Sequence, residues 1–202
     1  GIQVCPFPTA ILSTHTGGFE DCSFVDLTDS LRGYMEHWKN EKIEFDCIYS
    51  GFLGSATQVD IIIDFIVDFK SGSNMVVVDP VMGDNGKLYS TMDDNMVSKM
   101  RDLVKKADII TPNLTEALYL LEKEHTNTID EEQVKRMMIE LANFGPRIVV
   151  ITSVPDDILT ENINVLAYDK RNNKFYKVTS ERIPIDFPGT GDTFTSVLIG
   201  KI

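Results

Sequence analysis

The feature that most constrains this 202-residue chain is an alternation. Short apolar runs recur between longer segments with helical spacing. Thr9–Leu12, Cys47–Tyr49, Met75–Val78, Ile109–Ile110 and Ile148–Ile151 read as buried strands. Val25–Lys39, Thr57–Phe69, Asp93–Lys105, Leu114–Glu122 and Glu131–Phe144 read as amphipathic helices. In the last of these, Val134, Met137, Met138 and Leu141 form one stripe facing a core. Strand–helix–strand repetition implies a parallel sheet with helices on both faces. Later, Asn164–Tyr168 and Phe175–Thr179 flank the polar stretch Asp169–Asn173. That pattern predicts a hairpin, so the sheet gains antiparallel strands near its end. The expectation is one α/β domain over residues 1–202.

Composition narrows the function. The net charge is −12, from 19 basic and 31 acidic residues. A nucleic-acid surface needs a basic footprint to displace counterions, so a nucleic-acid partner is not expected. Phosphate itself stays open, because backbone N–H groups and a cation can hold it without Lys or Arg. The longest apolar stretches fall far short of a membrane span, and no membrane partner is expected. Cys5, Cys22 and Cys47 show no metal spacing. Their odd, scattered count suits a reducing cytoplasm, where they read as small core hydrophobes. The chain starts at Gly1 and ends at Ile202 inside a helical pattern, so a longer natural molecule is expected.

In open α/β sheets ligands sit outside the carboxyl ends of the strands, so the loops that follow strands carry the chemistry. Phe187–Phe194 contains Gly189–Thr190–Gly191–Asp192 just before helical spacing resumes at Phe194, Val197 and Leu198. Glycines allow close backbone approach, and a helix N-terminus favours an anion. Asp192 there is either a helix cap or a general base beside an anion hole. This is not a P-loop, since the lysine is absent and the glycine spacing differs. Asp79 and Asp84 follow the Met75–Val78 strand in Asp79–Pro80–Val81–Met82–Gly83–Asp84. They read as Mg²⁺-organising carboxylates or as turn residues. Asn113 and Glu116 in Thr111–Glu116 read as a capping box or as part of a metal–phosphate centre. Thr152 and Ser153 follow a strand and either meet phosphate or shape a turn. Leu12–Gly18 follows the first strand and contains His15. Asp84–Met92 has the Gly, Asn and Ser content of a flap. No early G-x-G-x-x-G supports a dinucleotide-binding oxidoreductase.

Taken in order, these stretches resemble the ribokinase-like superfamily, and within it the vitamin B6 kinases. Ser13–Thr16, Ser50–Ser55, Asp79–Asp84, Thr111–Glu116 and Gly189–Asp192 carry the likeness along the whole chain. The resemblance implies a three-layer α/β/α sandwich with a mostly parallel sheet. It implies transfer of the ATP γ-phosphate to the 5′-hydroxymethyl group of pyridoxal, pyridoxamine or pyridoxine, with Mg²⁺. Whether a monovalent cation is required stays open. Asp192 would be the base, and Gly189, Thr190 and Gly191 would offer N–H groups to the phosphoryl. Asp79 and Glu116 would organise Mg²⁺. Asp79, Asp84, Tyr89, Asn113, Glu116, Thr152, Ser153, Thr190 and Gly191 would line the ATP site. Leu12, His15, Thr16 and Phe52 would contact the pyridine ring. A cytoplasmic homodimer is implied. Relatives also carry an earlier strand and helix and further helices after the Gly189–Asp192 turn. Hydroxymethylpyrimidine kinase and a non-catalytic nucleotide- or vitamer-binding relative are the alternatives.

Overall fold

Four parallel strands carry the sheet, and each begins where the apolar runs predict. The computed structural model describes residues 2–14, 19, 21–125, 129–156, 162–185 and 187–202. The elements in order are β1 Ala10–Leu12, β2 Phe24–Asp26, α1 Thr28–Asn40, β3 Cys47–Ser50, α2 Ala56–Phe69, β4 Met75–Val78, β5 Gly83–Asp84 and β6 Lys87–Leu88. They continue with α3 Asp94–Val104, β7 Ile109–Ile110, α4 Leu114–Leu120, α5 Glu131–Ala142, β8 Ile148–Pro155, β9 Asn162–Asp169, β10 Lys174–Glu181 and α6 Thr190–Ile199. The main sheet has the order β10-β9-β8-β7-β4-β3. β3, β4, β7 and β8 run parallel, while β9 and β10 are antiparallel additions. This is the mixed α/β sheet that the spacing predicts.

Strand alternation sorts the side chains onto two faces. Val76, Val78, Ile110, Val149, Ile151 and Leu166 join one continuous core with residues of α1 to α5. Val77, Ile109 and Val150 are equally buried but stand outside that core. Alternation puts them on the opposite face, with Tyr49, Gly51, Asp79 and Thr111 in phase with them. The central strands are therefore apolar on both faces, which is why they read as unbroken hydrophobic runs.

Three expectations need correction. β1 is not a buried strand of the main sheet: it pairs antiparallel with β2 in a separate ribbon, and Ile11 is exposed. The helix expected from Val25 starts at Thr28, because Phe24–Asp26 is strand β2 and Asp26 Oδ1 accepts the Thr28 N–H at 2.8 Å. The cysteines are free but not core: Cys5 is exposed, and Cys22 and Cys47 are half-buried. The 84–92 stretch opens with an ordered hairpin, β5–β6, turned by Asn85 and Gly86, both at positive φ. Two such residues in succession match the twist of a tight hairpin.

One amide ties the β1–β2 ribbon to α2. Gln58, fully buried in the first turn of α2, donates to the Thr9 carbonyl at 2.9 Å, to Asp26 Oδ1 at 3.2 Å and to Thr28 Oγ1 at 2.9 Å. Its Oε1 accepts the Gly54 N–H at 2.8 Å. Replacing it by an apolar residue takes the partner from the half-buried Thr9 carbonyl, Thr28 hydroxyl and Gly54 N–H, at a cost for each. Gln58→Leu is expected to lower stability by about 2 kcal/mol. A urea midpoint equal to that of the parent protein would show that the ribbon is held by other contacts.

Candidate active site

The site is built where β3, β4 and β7 end and α6 begins. Pro80 breaks β4 just after Asp79, whose N–H donates to the Ser50 carbonyl at 2.8 Å. Asp79 therefore stands at the carboxyl edge, 5% exposed, on the α6 face. Burial, and then the charge of Asp192, push its carboxyl up to about 7. Hydrogen bonds from Thr195 and Thr111 oppose that rise.

α6 starts with Gly189 in the left-handed conformation at φ 82°, a backbone state that favours glycine. The first intrahelical bond runs from the Thr193 N–H to the Gly189 carbonyl at 3.0 Å. The amides of Thr190, Gly191 and Asp192 precede it and lie at the positive end of the helix. No side chain caps this terminus. The reading of Asp192 as a cap is thus not what the structure displays. Its carboxylate instead leans over Gly51, with Oδ1 3.6 Å from where a Cβ on that glycine would lie. The Tyr49 hydroxyl is 3.4 Å from the same point. Across the turn, a Cβ on Gly191 would lie 3.8 Å from Asp79 Oδ2. Bare backbone at positions 51 and 191 keeps the space between the two carboxylates open.

A second group of residues borders the same edge. Asn113 caps α4 and forms a full capping box with Glu116. The Asn113 side chain accepts the Glu116 N–H at 2.9 Å, and Glu116 Oε2 accepts the Asn113 N–H at 2.8 Å. The structural alternative therefore holds here, yet it accounts for only part of the geometry. Glu116 Oε1 also accepts the Met82 N–H at 3.1 Å, and Asn113 Nδ2 donates to the Gly83 carbonyl at 2.8 Å. α4 is thereby locked to the loop after Asp79. Glu116 is 3% exposed, and burial followed by the charge of Asp79 holds its carboxyl well above the usual range. Thr152 bridges Asn113, and its N–H donates to the Pro112 carbonyl at 3.0 Å. A register shift in β8 between Ile151 and Val154 lets Ser153 turn outward at φ 57°. Such bulges re-aim side chains at strand ends.

Asp84 lies on the exposed hairpin, where it accepts the Asn85 N–H at 2.8 Å. Tyr89 follows that hairpin. Burial pushes its phenol up to about 12, with the nearby charges of Glu116, Asp84, Asp79 and Asp192 adding to the effect. Asp79, Asp84, Tyr89, Asn113, Glu116, Thr152, Ser153 and Asp192 thus border one edge. Leu12 and Phe52 belong to the ribbon side. Leu12 pairs with Phe24, whose ring lies 3.2 Å from a Cβ built on Gly54, and the Phe52 carbonyl accepts from Thr9 Oγ1 at 3.4 Å. His15 and Thr16 lie outside the described residues.

Two site residues escaped the sequence reading. Tyr49 sits among Asp79, Asp192 and Thr195, and burial with the two carboxylates pushes its phenol upward. Thr195 bonds Thr111 and Asp79. Counting in twos back from Gly51, or in fours on from Gly191, would have found them.

Among the described residues, no group of three or more His, Cys, Asp or Glu encloses a metal position. Asp79 and Glu116 do suit one cation held partly by other ligands. Both carboxyls are pushed upward by burial and by neighbouring negative charge, and a divalent ion would relieve that repulsion. No helix among the described residues is long and apolar enough to cross a membrane.

The comparisons with known proteins agree with this geometry. The phosphomethylpyrimidine kinase family model matches residues 5–202. A Caenorhabditis elegans protein classed as a pyridoxal kinase is 36% identical, covering 98% of this chain and 65% of its own length. A Bacteroides thetaiotaomicron protein classed as a phosphomethylpyrimidine kinase, crystallised with pyridoxal, is 47% identical with a TM-score of 0.96. The match covers 100% of this chain and 70% of that one. Pyridoxal kinase from Lactobacillus plantarum is 32% identical with a TM-score of 0.84, covering 96% and 68%. The chain thus spans about two thirds of the length of these relatives. With its mixed sheet, its Gly189–Asp192 turn and matches of this extent, the chain belongs to the pyridoxal kinase family of ribokinase-like proteins.

Proposed function

We propose that this chain is the larger part of an ATP-dependent kinase that phosphorylates the 5′-hydroxymethyl group of a B6 vitamer. The observation that carries the proposal is the Asp192 carboxylate. It stands at the N-terminus of α6, makes no cap, and faces open space over Gly51 opposite Asp79. A binding module has no use for an unengaged base beside an anion-favouring turn. Phosphoryl transfer needs that pair: a group to take the alcohol proton and N–H donors for the transferring phosphoryl.

In this reading Asp192 accepts the proton of the hydroxymethyl group as its oxygen attacks the γ-phosphorus of ATP, and ADP leaves. The amides of Gly189, Thr190 and Gly191 receive the equatorial oxygens. Asp79 and Glu116 would hold Mg²⁺, partly through water, which supplies charge neutralisation along the phosphates. Asn113, Thr152, Ser153, Asp84 and Tyr89 flank the nucleotide phosphates. Leu12 and Phe52 offer apolar walls to the ring, with His15 and Thr16 expected beside them. Cytoplasmic location and a homodimer complete the proposal.

The second reading, hydroxymethylpyrimidine kinase, uses the same machinery and is favoured by the family model's description. The bound pyridoxal in the Bacteroides relative favours the pyridine. Pyridoxal, pyridoxamine and hydroxymethylpyrimidine should be assayed side by side with ATP and Mg²⁺ on the full-length natural protein. Turnover of a pyridine is expected. Turnover of the pyrimidine alone would leave the mechanism and move the substrate. Asp192→Asn is expected to lower turnover at least about a hundredfold while ATP still binds. Near-full rate in that variant would remove Asp192 from the base role.

The raised carboxyl of Asp79 yields a pH prediction. A group with a folded pKa above its ordinary 3.8 stabilises the fold below that value and loses this contribution as pH rises through about 7. Above pH 7 the buried charge is a liability. With chelator present, Asp79→Asn is expected to melt at a higher temperature than the parent protein at pH 8, and the gap should shrink towards pH 5. A variant less stable at pH 8 would contradict the assignment.

A further inference from the structure

α6 carries the Asp192 carboxylate, yet it has little apolar hold on the sheet. Thr195 is the one residue of this helix that is buried among those described, at 1% exposed. It is polar, and it meets Thr111 and Asp79, which alternation puts on the same sheet face as the buried Val77 and Ile109, a setting where an aliphatic side chain would be the ordinary choice. Val197, two residues on, is 58% exposed. A buried hydroxyl in an apolar setting is retained at a cost unless it is hydrogen-bonded.

Thr195 is bonded on both sides. Its Oγ1 lies 3.0 Å from Thr111 Oγ1 and 3.5 Å from Asp79 Oδ2. Thr195 donates to Asp79, while between the two threonines either hydroxyl can be the donor, and Thr111 bonds Asp79 as well. The chain Thr111–Thr195–Asp79 therefore links the ends of β7 and β4 to α6. Helical geometry carries the consequence outward. Residues four apart lie on one face, so fixing Thr195 turns Gly191 towards the sheet. Gly191 indeed faces Asp79. Asp192 then projects one step around the helix, over Gly51 and beside Tyr49.

We propose that Thr195 is a positioning residue, which sets the rotation of α6 about its axis through Thr111 and Asp79 and so aims Asp192 at the attacking hydroxyl. The inference rests on the kinase reading for its effect on rate, but not for its effect on the helix. Thr195 touches no reacting atom in this scheme. It couples the carboxylate on the metal side to the one on the substrate side.

Thr195→Val keeps the shape and the burial but removes the hydroxyl, and Thr195→Ser keeps the hydroxyl. In the full-length natural protein, Thr195→Val is expected to lower kcat about tenfold, the loss of one buried hydrogen-bond pair. The KM for the vitamer should stay within about twofold, because the ribbon and the β3–α2 loop are untouched. Thr195→Ser should return kcat to within about threefold of the parent protein. Amide hydrogen exchange of residues 193–198 gives a readout independent of any substrate. Exchange there should quicken in the Val variant and not in the Ser variant. Unchanged kcat in the Val variant, or failure of Ser to restore it, would overturn the proposal. If the parent protein phosphorylates none of the vitamers, the kinase reading fails and the exchange comparison alone decides. Equal exchange in all three proteins would then overturn the role of Thr195.

Discussion

The carboxylate of Glu116 joins the two loops on which the carboxyl edge depends. One oxygen accepts from the loop after β4 and the other from the start of α4. Asn113 returns a bond to Gly83, so loop and helix are tied twice. Buried charge of this kind is tolerable only when every lone-pair direction in use meets a donor. Here the donors are backbone amides, which cannot rotate away. The geometry of Asp79, two residues from the loop's first turn, follows from this tie. So does the position of Thr152, which runs alongside Asn113.

The parallel part of the sheet was legible because its strands are apolar on both faces and its helices are striped. α2, α3 and α5 begin within one residue of the expected place, each with a side-chain cap: Ser55, Asp93 and Asp130. Legibility failed where an element is short or unsupported by the main sheet. Thr9–Leu12 has the composition of a strand, but composition does not say which sheet receives it. Its ribbon partner Phe24–Asp26 merges in sequence with the helix that follows. The β5–β6 hairpin has two-residue strands, too short for any periodicity, although Asn85–Gly86 is a strong turn pair.

The site divides in the same way. Asp192, Asp79, Asn113 and Glu116 were legible as strand-end polar residues. Their relations across the chain were not. The Gln58 tie to Thr9 spans 49 positions and the Thr195 contact with Asp79 spans 116. Such contacts leave no local pattern. At Asn113 and Glu116 the capping box is compatible with the proposed ligand role. A capping box fixes their rotamers, and fixed rotamers are what a ligand site requires.

Electrostatics gives the edge its character. Four carboxylates, Asp79, Asp84, Glu116 and Asp192, share one rim with no lysine or arginine bonded to any of them among the described residues. Elsewhere several acidic residues are paired, as Asp60 is with Lys99, Asp108 with Lys70 and Glu131 with Lys135. The chain is acidic throughout, with 31 acidic against 19 basic residues, and what sets this rim apart is that Asp79 and Glu116 are buried as well as unpaired with a cation. Both groups resist ionisation, first through burial and then through neighbouring negative charge. A nucleotide alone would worsen the repulsion, since its phosphates are also negative. In the proposed kinase a nucleotide carrying a divalent ion would reverse the sign, with Asp79 and Glu116 holding the ion and the α6 amides facing the phosphate oxygens. Under the proposed kinase function, the same negative rim would favour a metal-loaded nucleotide over a bare one.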